Sequence, residues 1–348
     1  ATRSLKTRAI PILGLSRLIR LSSRLSQNGT KNTVNLQLNA WSRRLFETAI
    51  SQADRLRIAQ HTVGGATVLD FGCKALGGLA AGQLLAEICL ADLGKVQIGP
   101  MCPQTGLPQV IVSTDHPLNA CLMSQYAGWK IDTDGYFAMG SGPMRAAAGT
   151  EDLFQEFPAF SDESCAVGVL ESGKLPPEAA IQQIQSKLSP GCEVLLAVAP
   201  TASQAGNLQV VARSVETAMH KLHEIGFPMD TVLSGYGSCP LPPVAADDLT
   251  GIGRTNDAIL YCATVNLWVD TEDGLIEHLG PRTPSNSSDA FGESFLDLFK
   301  KANYNFYDID KNLFSPAVTS FHNQRTGNTF RYGEHRFDVL QASAGLPA

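Results

Sequence analysis

GNLQVVARSVETAMHKLHEIGF, residues 206–227, carries the clearest helix grammar in the chain. Asn207 is placed to cap its start, and Gly226 to close its end in the left-handed conformation that glycine tolerates. Leu208, Val211, Val215, Met219 and Leu222 recur every three or four residues, which predicts one helix with a single apolar stripe. Arg213, Glu216 and His220 fall off that stripe, again three and four apart, so they are neighbours on the helix surface. Such a face is either a solvated salt-bridge surface or the wall of a site. The spacing alone favours the solvated surface, because exposed pairs of this kind are common on helices.

Working outward, the stretch before this helix reads strand, helix, strand. SCAVGVLES (164–172) and CEVLLAVAP (192–200) have the continuous apolar character of buried strands, and PPEAAIQQIQSKL between them has Pro at a helix start. The order βαβα predicts a layered α/β unit in which Arg213 and Glu216 lie just past a strand end, where open α/β sheets take ligands. Further back, residues 34–58 are expected to form one long helix with Leu36, Leu38, Trp41, Leu45, Ala49 and Ala53 inward. ATVLDFG (66–72) is a short buried strand, and the Gly77–Gly78 turn leads into a helix through LAAGQLLAEICL. Bare backbone at such a turn suits an anion, and close helix–strand packing explains the glycines as well. Lys95–Gly99 and Gln109–Asp115 read as strands, and PLNACLMSQYAGWK (117–130) as a helix carrying Gln125 and Tyr126 near its end. In GYFAMGSGPMRA (135–146), Ser141 sits between two glycines ahead of Arg145. Gly142 would let backbone approach a ligand, and the arginine can meet an anion; a plain turn is the alternative.

Downstream, VLSGYGSCPLPPVAADD (232–248) reads as a Gly/Pro-rich loop, and TNDAILYCATVNLWVD (255–270) brings Asn256 and Asp257 into a strand. A helix is expected from Ser288 to Lys301, with short strands around the Thr326–Asn328 turn. The fold class is α/β of the mixed α+β kind. Residues 34–155 and 156–348 are expected as two subdomains, with a loose boundary near the acidic loop 151–163.

The chain has 348 residues, 27 Lys or Arg and 33 Asp or Glu, a net charge of −6. Seven of the basic residues fall in 1–33, which has no acid, so the rest carries 20 against 33, about −13. A body this acidic argues against a nucleic-acid partner. Residues 1–33 have the composition of a transit peptide and are expected to be a basic extension, disordered or outside the fold. No apolar run approaches the roughly 20 residues that span a bilayer, so no membrane partner is expected. Eight scattered cysteines form no CxxC and no metal-spaced Cys/His pair. That points to a reducing compartment, the cytoplasm, and to no structural metal.

Serine-triad, cysteine-protease, HExxH and dinucleotide signatures are all missing. What remains is a carboxylate with an arginine neighbour and a glycine-serine loop with an arginine. That inventory suits water added to an organic substrate that is already electrophilic. DFG and GGLAAG (70–82), AEICL (86–90), DHPLNACLMSQYAGW (115–129), GSGPMRA (140–146), VARSVETAMHKLHEIGF (211–227) and TNDAILY (255–261) together resemble the methenyltetrahydromethanopterin cyclohydrolases. The likeness runs from about residue 34 to the C-terminus. It departs at Met144, where the family has Ala, and at Cys262, where it has Gly.

The resemblance implies reversible hydrolysis of N5,N10-methenyl-tetrahydromethanopterin to the 5-formyl compound, without metal, nucleotide or other cofactor. It also implies a family-specific fold of two subdomains with a substrate cleft between them, and a homotrimer. The family's catalytic Arg and Glu map onto Arg213 and Glu216. The chemistry fits that pair: a general base takes a proton from the attacking water, and the arginine orients the base. Gln125, Tyr126, Ser141, Gly142, Arg145 and Asn256 are expected to line the pterin pocket, and His220 to stand behind it. Two other readings remain: a tetrahydropterin C1-carrier binding protein without turnover, and an unrelated amidohydrolase. The resemblance leaves open the pterin variant and the metabolic direction, formaldehyde oxidation or methanogenesis.

Overall fold

Two six-stranded mixed sheets organise the chain, with strand orders β1-β2-β8-β7-β6-β5 and β12-β11-β10-β9-β4-β3. The computed structural model describes residues 36–157 and 164–346. The basic extension expected at 1–33 and the residues 158–163 of the acidic loop lie outside the described residues.

The first sheet comprises β1 (Ala59–Val63), β2 (Ala66–Asp70), β5 (Trp129–Thr133), β6 (Tyr136–Ser141), β7 (Cys165–Glu171) and β8 (Glu193–Ala199). Its central strands β2, β8 and β7 run parallel. Both faces are covered, which is why β7 and β8 read as unbroken apolar runs rather than alternating ones. Leu69, Val167, Val169, Leu195 and Ala197 pack under Phe46 and Leu85 on one face. Val68, Ala166, Leu170, Leu196 and Val198 pack with Ile181 and Trp129 on the other. The second sheet comprises β3 (Gly94–Met101), β4 (Pro108–Thr114), β9 (Val232–Pro240), β10 (Thr264–Val269), β11 (Val318–Asn323) and β12 (Thr329–Gly333), antiparallel except for β10 with β11. Each sheet takes strands from both sides of residue 155, so the boundary expected there does not separate one sheet from the other.

Helix α1 (Leu38–Ser51) covers the first sheet with α2 (Leu79–Cys89). The long helix expected over 34–58 stops at Ser51, and its buried anchor is Phe46 rather than Leu45. The Gly77 turn is a packing device: a Cβ there would meet the Phe71 carbonyl oxygen at 2.1 Å. Asp70 locks the loop after β2, accepting from the backbone N–H groups of Gly72, Cys73, Lys74 and Ala75.

Downstream of residue 230, three stretches fold differently from the sequence expectation. The segment 232–240, expected as loop, is the central strand β9. Its glycines make it strand-competent here, because a Cβ at Gly237 would meet Ser214 Oγ at 2.3 Å. Residues 255–262, expected to enter a strand, belong to the helix Asp248–Cys262, capped by Asp247. The helix expected from Ser288 begins only at Phe295, where Ser294 caps it.

Candidate active site

The helix expected over 206–227 is two helices. The first, α3, is Gln204–Val211; the second, α4, is Ser214–Glu224. The cap of α3 is Ser203, whose Oγ accepts from the Gly206 N–H at 3.1 Å. Asn207 lies inside the helix instead, its amide donating to the Pro242 carbonyl at 2.7 Å. The break falls at Ala212–Arg213. The Arg213 N–H reaches back three residues to Val210, and the Ala212 carbonyl accepts from the Gln125 amide at 3.3 Å. No glycine or proline marks this break, so periodicity predicts a continuous helix. A side chain from another element takes the freed carbonyl and holds the break. Gly226 closes the second helix as expected, at φ +81.

That break places Arg213 at the mouth of α4 and Glu216 in its first turn. The apolar stripe of α4, Val215, Ala218, Met219 and Leu222, enters the core of the second sheet with Val112, Cys239, Val265 and Leu267. Its polar side is covered by a π-helix, Leu118–Gln125, and is not a solvated surface: Arg213 and Glu216 are each only 6% exposed. π-Helical turns favour functional positions, and this one ends at Gln125 beside the break.

Arg213 is held from four directions. One Nη2 bond goes to Glu171 Oε1 at 2.9 Å, another to Ser141 Oγ at 3.0 Å, and Nη1 donates to the Gln125 carbonyl. Cys89 Sγ lies 3.9 Å from Nη2 and 3.3 Å from Ser141 Oγ. Burial works against the guanidinium's charge, but Glu171, Cys89 and Glu216 outweigh it and hold its pKa above the ordinary value. Glu216 has the opposite circumstance. Burial pushes its pKa up to about 7 against the pull of Arg213 and Arg145, with Glu171 adding to the rise. Among the described residues no group hydrogen-bonds or ion-pairs with the Glu216 carboxylate. The expected direct orientation of Glu216 by Arg213 is therefore replaced by an Arg213–Glu171 pair beside an unpaired Glu216.

The other expected site residues divide. Gln125 and Ser141 join the Arg213 cluster, and Tyr126 stacks on His220 with ring centroids 4.8 Å apart and planes 15° apart. Gly142 turns the chain at φ +90, and its close approach is to β7, not to an open pocket; a Cβ would meet the Val167 carbonyl at 3.1 Å. Arg145 is fully buried and four of its five N–H donors are engaged: it pairs with both oxygens of Glu151 and donates to the carbonyls of Leu122 and Ser124. These bonds brace the π-helix, and the Arg145 guanidinium still acts on the Glu216 carboxyl. Asn256 is half-buried on its own helix, donating to the Ile252 carbonyl at 2.8 Å, and among the described residues it makes no hydrogen bond to the Arg213 cluster.

Sequence reasoning missed Glu171 and Cys89. The rule that sites gather at the carboxyl ends of parallel strands points to Glu171, the last residue of β7. No local pattern points to Cys89, which reaches the cluster from the end of α2. Two cavities, of about 630 and 540 Å³, lie elsewhere. Trp41, Lys95, Asp115, Tyr236 and Trp268 help line the first, Tyr136, Phe137, Ser172 and Lys174 the second, and neither is lined by any expected site residue. Glu171, whose side chain is 24% exposed, is where the cluster meets solvent. Among the described residues no group of three or more His, Cys, Asp or Glu is arranged to hold a metal ion, and no helix is long and apolar enough to cross a membrane.

The Cyclohydrolase (MCH) family matches residues 37–344. A methenyltetrahydromethanopterin cyclohydrolase of Rhodopirellula baltica is 45% identical over 310 residues, covering 86% of this chain and 92% of the relative. The protein of that name from Methylobacillus flagellatus is 38% identical over 327 residues, 93% of this chain and 100% of the relative. That of Methanosarcina mazei is 41% identical over 288 residues, 81% and 89%.

Proposed function

The chain belongs to the methenyltetrahydromethanopterin cyclohydrolase family, and on that premise we propose that it adds water to N5,N10-methenyl-tetrahydromethanopterin, with Glu216 as the general base. The substrate's methenyl carbon bridges two nitrogens in an amidinium cation and needs no further activation. What remains is to place a water against it and take a proton as the C–O bond forms. Glu216 accepts that proton and balances the cation's charge. The hydroxyl adduct then collapses: the C–N10 bond breaks, N10 takes a proton, and the hydroxyl loses its own as the formyl C=O forms. One proton per turnover leaves for solvent.

The observation that carries this reading is a buried, unpaired carboxyl with a pKa of about 7 beside an arginine pinned to another group. A base must be poised near the working pH and free of a competing partner, and Glu216 meets both conditions. Ser124 Oγ, Gln125 Oε1 and Arg213 Nε are buried without a hydrogen-bond partner among the described residues, and they supply polar capacity for the pterin or the water. On the same premise the chain is proposed to act in the cytoplasm as a homotrimer on a pterin substrate, without metal or other cofactor.

Glu216→Gln tests the assignment. Turnover, followed by the loss of methenyl absorbance, is expected to fall by about 10²–10⁴-fold with folding and assembly unchanged. Near wild-type turnover in that variant would refute it.

A further inference from the structure

We propose that Glu171 is a positioning residue: by holding the Arg213 guanidinium at the end of β7 it keeps that group from pairing with Glu216 and leaves the carboxyl free to take a proton from water. The proposal rests on the reading of Glu216 as the base.

Arg213 and Glu216 stand three positions apart at the start of one helix, a spacing at which the two side chains pair readily. A direct pair would make Glu216 a poor base, because a carboxylate bonded to a guanidinium holds its negative charge too comfortably. In the structure this pair is not made. Arg213 instead donates to Glu171 at 2.9 Å, to Ser141 at 3.0 Å and to the Gln125 carbonyl, so β7, β6 and the π-helix share the guanidinium among them. Ser141 and the carbonyl are neutral, which leaves Glu171 as the charge-bearing partner that outcompetes Glu216.

The charged and titratable groups around Glu216 are few. Arg213, Arg145 and Glu171 act on it, and the thiols of Cys89 and Cys121 lie nearby, both buried and with raised pKa values. Cys121 belongs to the π-helix that covers α4. His220 follows one turn along α4 itself, its pKa lowered by burial. The strands β4, β9 and β10 beneath α4 carry no charged residue. Glu171 is thus the one acidic neighbour acting on Glu216, and it does so twice: by its own negative charge and by its claim on Arg213.

The test is the pH dependence of kcat/KM for hydrolysis in wild type, Glu171→Gln, Glu171→Asp and Glu216→Gln. The base works deprotonated, so activity rises with pH through the Glu216 pKa, giving wild type an acid limb near pH 7. Removing the Glu171 charge frees Arg213 to reach Glu216, and both changes lower that pKa. In Glu171→Gln the acid limb is expected to move down by about one pH unit while the plateau rate falls, since a base of lower pKa takes a proton less readily. Glu171→Asp keeps the charge but shortens the reach, so its limb is expected to move part of the way. A merely structural role would lower the active fraction at every pH and leave the limb in place.

An unmoved limb in folded Glu171→Gln, with Glu216→Gln inactive, overturns this proposal and leaves Glu216 as the base. Substantial turnover in Glu216→Gln overturns the base assignment itself. If the Gln variant does not fold, an Asp variant with wild-type limb and plateau overturns the proposal.

Discussion

Glu216 is not the only buried carboxyl whose pKa is raised. Asp257 is fully buried, and its Oδ1 accepts the Phe295 N–H at 2.7 Å. Burial pushes its pKa up to about 7 from an ordinary 3.8. Between those values the folded protein binds more protons than the unfolded chain, so stability falls as pH rises from about 4 to about 7 and stays lower above. Asp257→Asn keeps the acceptor for Phe295 and cannot ionise. It is expected to be more stable than wild type at pH 8, by a margin on the order of 3 kcal/mol, and no more stable at pH 4. Thermal unfolding at the two pH values checks this; equal pH slopes in both proteins would count against it. Glu216 adds a slope of the same sign. A working base of raised pKa is therefore a site where function and stability oppose each other.

The element that matters most is the interrupted helix, and the interruption is not written in its own residues. Val211 to Met219 keeps a helical period straight across the break. What breaks it is the Gln125 amide at the Ala212 carbonyl and the demand of Glu171 and Ser141 on the Arg213 side chain, all from distant parts of the chain. The same dependence explains β9. Gly235 and Gly237 read as loop punctuation, yet their missing Cβ atoms let α4 settle on the sheet, with Val215 and Ser214 against them. Gly237→Ala is expected to push α4 off its seat, costing about 1–3 kcal/mol in denaturant unfolding. It is also expected to lower kcat, because Ser214, which its Cβ would strike at 2.3 Å, lies between Arg213 and Glu216. Stability loss with unchanged kcat would show that the site tolerates movement of its helix. Tyr261 and its neighbours in 255–262 fell on the wrong side of the helix–strand division for a related reason: a short apolar run fits either period until packing decides.

At the scale of the whole molecule, residues 34–348 carry about −13, and among the described residues no helix is long and apolar enough to cross a membrane. The homotrimer is a prediction of the same order: light scattering on the purified protein is expected to give about three times 37.2 kDa, and a monomer mass would refute it. The sequence by itself determined the α/β class, three of the six strands of the first sheet (β2, β7 and β8), the acidic balance and the Arg213–Glu216 pair, because each rests on local periodicity, composition or short motifs. Only the tertiary structure decided that this pair is not a pair. Whether an arginine binds the carboxylate one turn away or one at the end of a strand 42 residues earlier in the chain depends on which strand end the folded chain brings beside the guanidinium. Desolvation of Glu216 likewise depends on the π-helix laid over it, a contact between residues almost a hundred positions apart. Spacing along the chain sets which side chains can meet; long-range packing sets which of them do, and how far from water.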